Sequence, residues 1–207
     1  MKTKAILGGL ILALAGMGLI FFGCGDAKKT APYVVGGIFS ISGPASYLGE
    51  PERNSLEMVV GEVNAKGGIN GHPVKLAIYD DEGDVTKARL HATKLAQDKD
   101  CLAVIGPSLT HTSMTTLEIT QKAKLPLISC AAGSAITAPA KDRVWVFKTA
   151  QTDQMAVDRI YQYLQKHNLK QVAILTVSTG FGVAGKEQLL TLASKYDIQV
   201  VAQEVFG

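Results

Sequence analysis

Cysteine is scarce in this chain, and so is anything else that would staple a small fold. Cys24, Cys101 and Cys130 are the only three, too few for a disulfide framework. The four histidines, His72, His91, His111 and His167, share no metal-ligand spacing. The acidic run Asp80-Asp81-Glu82 with Asp84 lacks the ligand order of a calcium loop; it reads as a cap for the next helix and an edge of a cleft. Net charge is only +3, partly contributed by Lys2, Lys4, Lys28 and Lys29. No basic patch interleaved with aromatics appears, which argues against nucleic acid as a partner. Internal repeats and low-complexity tracts are missing too, which excludes a solenoid or a disordered chain.

One long apolar run stands out. Lys2 and Lys4 precede Ala5 to Phe22, and Gly23-Cys24-Gly25-Asp26 follows. A basic start, an apolar stretch and a small-residue site define a secretory signal. The cysteine at the cleavage point resembles the lipobox of bacterial lipoproteins, although Phe21 and Phe22 depart from the usual pattern. The alternative is an uncleaved anchor, since the run is just long enough to span a bilayer. Its four glycines make it a poor helix, so the lipoprotein reading is preferred. Positions 1–23 are then a signal peptide, and 24–32 a lipidated Cys24 with a polar tether. That places the chain in the periplasm or on the outer cell surface, with the membrane touched only through the lipid.

From position 33 strands and helices alternate. Strands are expected over 33–39, 74–79, 102–105, 127–129, 144–147, 171–177 and 199–205. Helices are expected over 50–66, 85–97, 113–123, 152–167 and 185–196. The second helix places Ala88, Ala92, Leu95 and Ala96 inward at helical spacing. Such alternation predicts an α/β fold with a parallel sheet covered by helices on both faces. Residues 33–148 form one lobe. Residues 149–207 hold a hinge crossover, at Lys148 to Gln151, and the start of a second lobe with only two strands. The expectation is a fragment of a longer protein, or an early stop.

Two strands end alike. Val104-Ile105 runs into Gly106-Pro107-Ser108-Leu109-Thr110, and Leu127-Ile128-Ser129 runs into Cys130-Ala131-Ala132-Gly133-Ser134. In open α/β sheets, ligands bind at the carboxyl ends of strands, where loops offer N–H groups and hydroxyls. Neither loop carries an obvious catalytic base, which suggests a protein that holds a small polar molecule. Thr110 precedes a predicted helix, whose first N–H groups and dipole favour an anion; an ordinary N-cap is the plain alternative. Ser108 and His111 read as rim or solvent groups.

Four stretches carry a resemblance: Ser42-Gly43-Pro44, Asn64-Ala65-Lys66-Gly67-Gly68-Ile69-Asn70-Gly71, Tyr79-Asp80-Asp81-Glu82 and Val104-Ile105-Gly106-Pro107. With them the chain, from Tyr33 to Gly207, resembles the periplasmic branched-chain amino-acid-binding proteins, substrate receptors of ABC importers. The resemblance implies two α/β lobes that close on an amino acid, branched-chain or a similar small zwitterion, no catalysis, no cofactor, a monomer, and an ABC permease complex as partner. It implies that Thr110 binds the ligand carboxylate and that the Ala131 carbonyl takes the ammonium. A hydroxyl position of the family falls on Gly133, with Ser134 the nearest substitute and Ala132 in the same loop. Phe181, followed by Gly182, matches an aromatic that covers the ligand from the second lobe. An aromatic of some relatives falls on Leu48, and the family's acidic partner for the ammonium falls past Gly207. A ligand sensor of the same fold is the alternative within the family.

Two rival readings come from other classes. Gly180-Phe181-Gly182-Val183-Ala184-Gly185 matches G-x-G-x-x-G, with Glu204 downstream, as in a dinucleotide site. Export from the cytoplasm argues against it. Cys130 near His111 could suggest a thiol enzyme, but no third orienting residue is evident. Cys101 opens one strand and Cys130 follows the next, so parallel neighbours would keep the two thiols apart and reduced. For the anchor, cells fed labelled palmitate should label the wild-type protein and leave Cys24→Ser unlabelled. An unlabelled wild type would contradict the lipoprotein reading.

Overall fold

A computed structural model describes residues 30–207; Cys24 and the leader read over 1–23 lie outside the described residues. The order is β1 (Tyr33–Phe39), α1 (Ser46–Ala65), β2 (Val74–Asp80), α2 (Val85–Gln97), β3 (Cys101–Ile105), α3 (Thr110–Lys122), β4 (Leu127–Ser129) and β5 (Val146–Lys148). After these come α4 (Asp153–Lys166), β6 (Gln171–Val177), α5 (Gly180–Ala193) and β7 (Gln199–Phe206). Strands β2-β1-β3-β4-β5 form one sheet and β6-β7 another. Every pairing between these strands is parallel. Parallel neighbours need crossovers, and the helices between strands supply most of them.

Two apolar cores hold the chain. Ile38, Leu95, Val104, Leu117, Leu127, Ile136 and Val146 are buried together around the first sheet. Val157, Tyr161, Leu192, Tyr196 and Ile198 are buried around the second. Residues 149–152 connect them, with the Thr149 N–H still bonded to the Ser129 carbonyl at 3.0 Å. Among the described residues, no helix is long and apolar enough to cross a membrane. Cys101 and Cys130 are free; Cys101 opens β3 and Cys130 follows its parallel neighbour β4.

Three helices begin earlier than the sequence suggests. Helix α1 starts at Ser46, not Glu50, and carries Pro51 inside it; proline reads as a helix start because its missing N–H costs least in the first turn. Helix α3 starts at Thr110, three residues before Ser113. Helix α5 starts at Gly180, five residues before Gly185. Strand β5 is shorter than predicted, and Trp145 stands just before it.

The carboxyl edge of the first sheet is tied by side chains. Asp80 accepts from the N–H groups of Ile41 at 2.9 Å and Glu82 at 2.9 Å, and from the Ser42 hydroxyl at 2.6 Å. Asp84 caps α2 through the N–H groups of Thr86 and Lys87, both at 2.8 Å. Gly106 leaves β3 with φ of +92°, and a Cβ there would lie 1.9 Å from the Ile38 carbonyl oxygen, so only glycine lets the chain turn here.

Burial pushes the Asp80 carboxyl up, but the hydrogen bonds from Ser42, Glu82 and Ile41 outweigh it and hold the group below the usual aspartate value. A carboxyl lowered in the fold stabilises above its unfolded pKa, and the effect is lost as pH falls through the folded value. Asp80→Ala should therefore cost about 1 kcal/mol at neutral pH. The difference from wild type should shrink as pH drops below the ordinary aspartate range. Urea unfolding at a series of pH values checks this; a pH-independent difference would contradict the account.

Candidate functional site

Four strand or helix ends converge on one cleft. Its volume is about 650 Å³, and its lining includes Leu48, Glu52, Ser108, Thr110, Ala131 and Phe181, within the usual size of small-molecule sites. Pro44, Tyr47, Leu48 and Glu52 come from the start of α1. Ser108, Leu109, Thr110 and His111 follow β3, and Cys130, Ala131 and Ala132 follow β4. Ala150 comes from the connection, and Val177, Thr179 and Phe181 from β6 and the start of α5. Both units thus face the same space.

Among the described residues, the lining contains no lysine or arginine, and the donors it offers an anion are hydroxyls and backbone N–H groups. Helix α3 provides them. Its N-cap is Leu109, with no side-chain cap bond, so the first-turn N–H groups are unpaired in the way helix starts leave them. Thr110 is therefore the first helical residue, not the cap. It is only 5% exposed, and its Oγ1 accepts the Gly133 N–H at 3.3 Å. The hydroxyl proton remains available for a second partner. A Cβ at Gly133 would lie 2.3 Å from Thr110 Cγ2, so the absence of a side chain at 133 lets the two loops meet.

Other contacts fix the loop after β4. The Cys130 N–H reaches the Pro107 carbonyl at 3.1 Å, and the Ala131 N–H reaches Ser129 Oγ at 3.1 Å. Lys148, the last residue of β5, donates to the Ala132 carbonyl and, at 3.3 Å, to that of Gly133. Burial pulls this ammonium below the ordinary lysine value, against the attraction of Asp153.

Of the residues expected to bind, Thr110, Ala131, Ala132 and Phe181 line the cleft. Gly133 lies behind Thr110. Ser134 is turned to Asp153, whose Oδ2 accepts its N–H at 3.1 Å and its hydroxyl at 3.5 Å. Leu48 lines the cleft; Asp80, Asp81, Glu82 and Asp84 do not. Gly180, Gly182 and Gly185 all fall inside α5. His111 packs its Nε2 3.0 Å from the Gly83 carbonyl, in the cleft wall rather than at a solvent rim.

Sequence reasoning missed Glu52, and it read Ser108 as a rim or solvent group. Ser108 is 4% exposed; its hydroxyl accepts the Ser40 N–H at 3.1 Å and donates to Glu52 Oε2 at 2.5 Å. Burial raises the Glu52 carboxyl, against the Ser108 hydrogen bond and with help from Asp81. The only signal was spacing: Glu52 stands between Leu48 and Leu56 at i,i+4 on α1.

A family profile described as periplasmic binding protein matches residues 32–207. The chain is similar to the Leu/Ile/Val-binding protein of Citrobacter freundii, 29% identical over 187 residues, 88% of this chain and 47% of that protein. The Leu/Ile/Val-binding protein of Escherichia coli (strain K12) is 37% identical over 98 residues, 47% of this chain and 24% of that protein. A solved extracellular ligand-binding receptor from Rhodopseudomonas palustris HaA2 superposes with a TM-score of 0.76 at 30% identity, covering 86% of this chain and 48% of that one. The chain spans about half the length, or less, of these relatives.

The thiol in the cleft can be tested directly. Burial, reinforced by the neighbouring Glu52 charge, pushes the Cys130 thiol up to about 12, and the thiolate is the nucleophile. At pH 8 Cys130 in the native protein should react with iodoacetamide roughly 100- to 1000-fold more slowly than free cysteine. Peptide mapping after timed labelling measures this. A native rate equal to that of free cysteine would show a reactive thiol and revive the enzyme reading.

Proposed function

The chain belongs to the periplasmic binding protein family, and we propose that it is the extracytoplasmic receptor of an ABC importer that captures a small amino acid. The observation that carries this reading is the Thr110 hydroxyl. It is buried in the cleft on the first turn of α3 and already accepts one N–H, from Gly133. Its proton is left to donate to a carboxylate, beside helix N–H groups whose dipole favours the same charge.

The rest of the amino acid follows from the loops. The Ala131 carbonyl, one residue past Cys130, takes the ammonium. Phe181, on the first turn of α5 and 55% exposed, comes down on the ligand as the two units close about residues 149–152. Closure removes water, and each hydrogen bond to a charged group gains strength in the dry site. Ligand capture is then a shift between open and closed states, and the closed form is what an ABC permease complex reads. A lipid on Cys24 would keep this monomeric receptor at the membrane surface.

The test uses the complete protein and its tightest L-amino acid from a thermal-shift panel. A hydrogen bond to a charged group contributes about 1.5–3 kcal/mol, so Thr110→Ala should weaken binding roughly 10- to 150-fold. Stability should fall by only about 1 kcal/mol, for the lost Gly133 contact. Thr110→Ser should keep most of the affinity. Calorimetric titration of the three proteins decides; Thr110→Ala binding as tightly as wild type would contradict the carboxylate assignment.

A further inference from the structure

Among the described residues the cleft lining has one acid, Glu52, and the amino-acid head group as placed above does not use it. Glu52 meets the loop after β3 at Ser108, two positions before Thr110. It lines the same cleft as Cys130, one position before Ala131. Ser108 and Cys130 lie nearer their strands than the residues assigned to the ligand's head. The carboxyl stands on the α1 side of the cleft.

Its two oxygens differ. Oε2 accepts the Ser108 hydroxyl, which is itself held by the Ser40 N–H. Among the described residues, no group donates to Oε1. Helix α1 is pressed here by a close approach: a Cβ on Gly49 would lie 2.2 Å from the Ser40 carbonyl oxygen. The acid is thus positioned from both sides and has one acceptor to spare. An aliphatic side chain packed against it would strip water from that acceptor and return nothing, and an unpaired buried acceptor is costly.

We propose that Glu52 is a specificity residue that selects amino acids whose side chain ends in an N–H donor, a carboxamide or an ammonium, over aliphatic ones. This rests on the amino-acid reading of the cleft. A site built to hydrogen-bond a substrate group discriminates against an analogue lacking it far more sharply than an apolar pocket discriminates by size. Leu48, Leu109 and Ala132 still supply an apolar wall for the methylenes.

The experiment is calorimetric titration of leucine, glutamine and lysine into the complete protein and two variants. Wild type should bind glutamine or lysine at least roughly 10-fold more tightly than leucine. Glu52→Leu should reverse that order, weakening the donor-bearing ligand and tightening leucine. Glu52→Gln preserves the shape and an acceptor; it should keep the glutamine-to-leucine ratio and lower the lysine-to-leucine ratio. It decides the matter if Glu52→Leu does not fold. Wild type preferring leucine, equal weakening of all three ligands by Glu52→Leu, or an unchanged lysine-to-leucine ratio in Glu52→Gln would each overturn the proposal while leaving the amino-acid reading intact. Wild type binding no amino acid would overturn both.

Discussion

The loops after β3 and β4 are tied by the hydrogen bond from the Gly133 N–H to the Thr110 hydroxyl, together with that from the Cys130 N–H to the Pro107 carbonyl. The first contact is possible because position 133 has no side chain; a Cβ would overlap the Thr110 methyl. It joins the start of α3 to the loop carrying Ala131 and leaves the hydroxyl oriented with its proton unspent. Lys148 supports the same loop from β5 through the carbonyls of Ala132 and Gly133. The parallel sheet places both strands' carboxyl ends at one edge, and these contacts turn that edge into a rigid half-site.

The α1 side is built on a chain of polar contacts. Glu52 takes the Ser108 hydroxyl, Ser108 takes the Ser40 N–H, and the Ser40 hydroxyl donates to Asp81 at 2.7 Å. Asp81 is fully buried, and its Oδ2 has no partner among the described residues. Two carboxyls thus stand near one another with two serines between them. Buried acids are costly unless partnered, and the Glu52 end of this chain opens on the cleft.

Much of this was legible in the sequence, for identifiable reasons. Strands β1, β4 and β6 are short apolar runs between turn residues, and their bounds were read correctly. Helix α2 shows its inward stripe as Ala88, Ala92 and Leu95, all buried. Helix α3 hid its first turn because its buried face is polar: Thr110, Thr112, Ser113, Thr116 and Thr120 do not register as an apolar stripe. Helix α1 was read from Glu50, which left out the first turn carrying Leu48. Glu52 was not singled out at all, because nothing in its local pattern separates an acid facing a cleft from one facing solvent. Ser134 looked like a substitute hydroxyl by position, but only the fold shows it turned to Asp153.

The central claim is that the cleft holds an amino acid with its carboxylate on the Thr110 hydroxyl and the start of α3. A crystal structure of the complete protein with its tightest amino-acid ligand tests this most directly. The account predicts a carboxylate oxygen within about 3 Å of Thr110 Oγ1, the ordinary range for a charged hydrogen bond, and the ammonium at the Ala131 carbonyl. A ligand seated elsewhere, or in the cleft with its carboxylate turned away from Thr110, would contradict it.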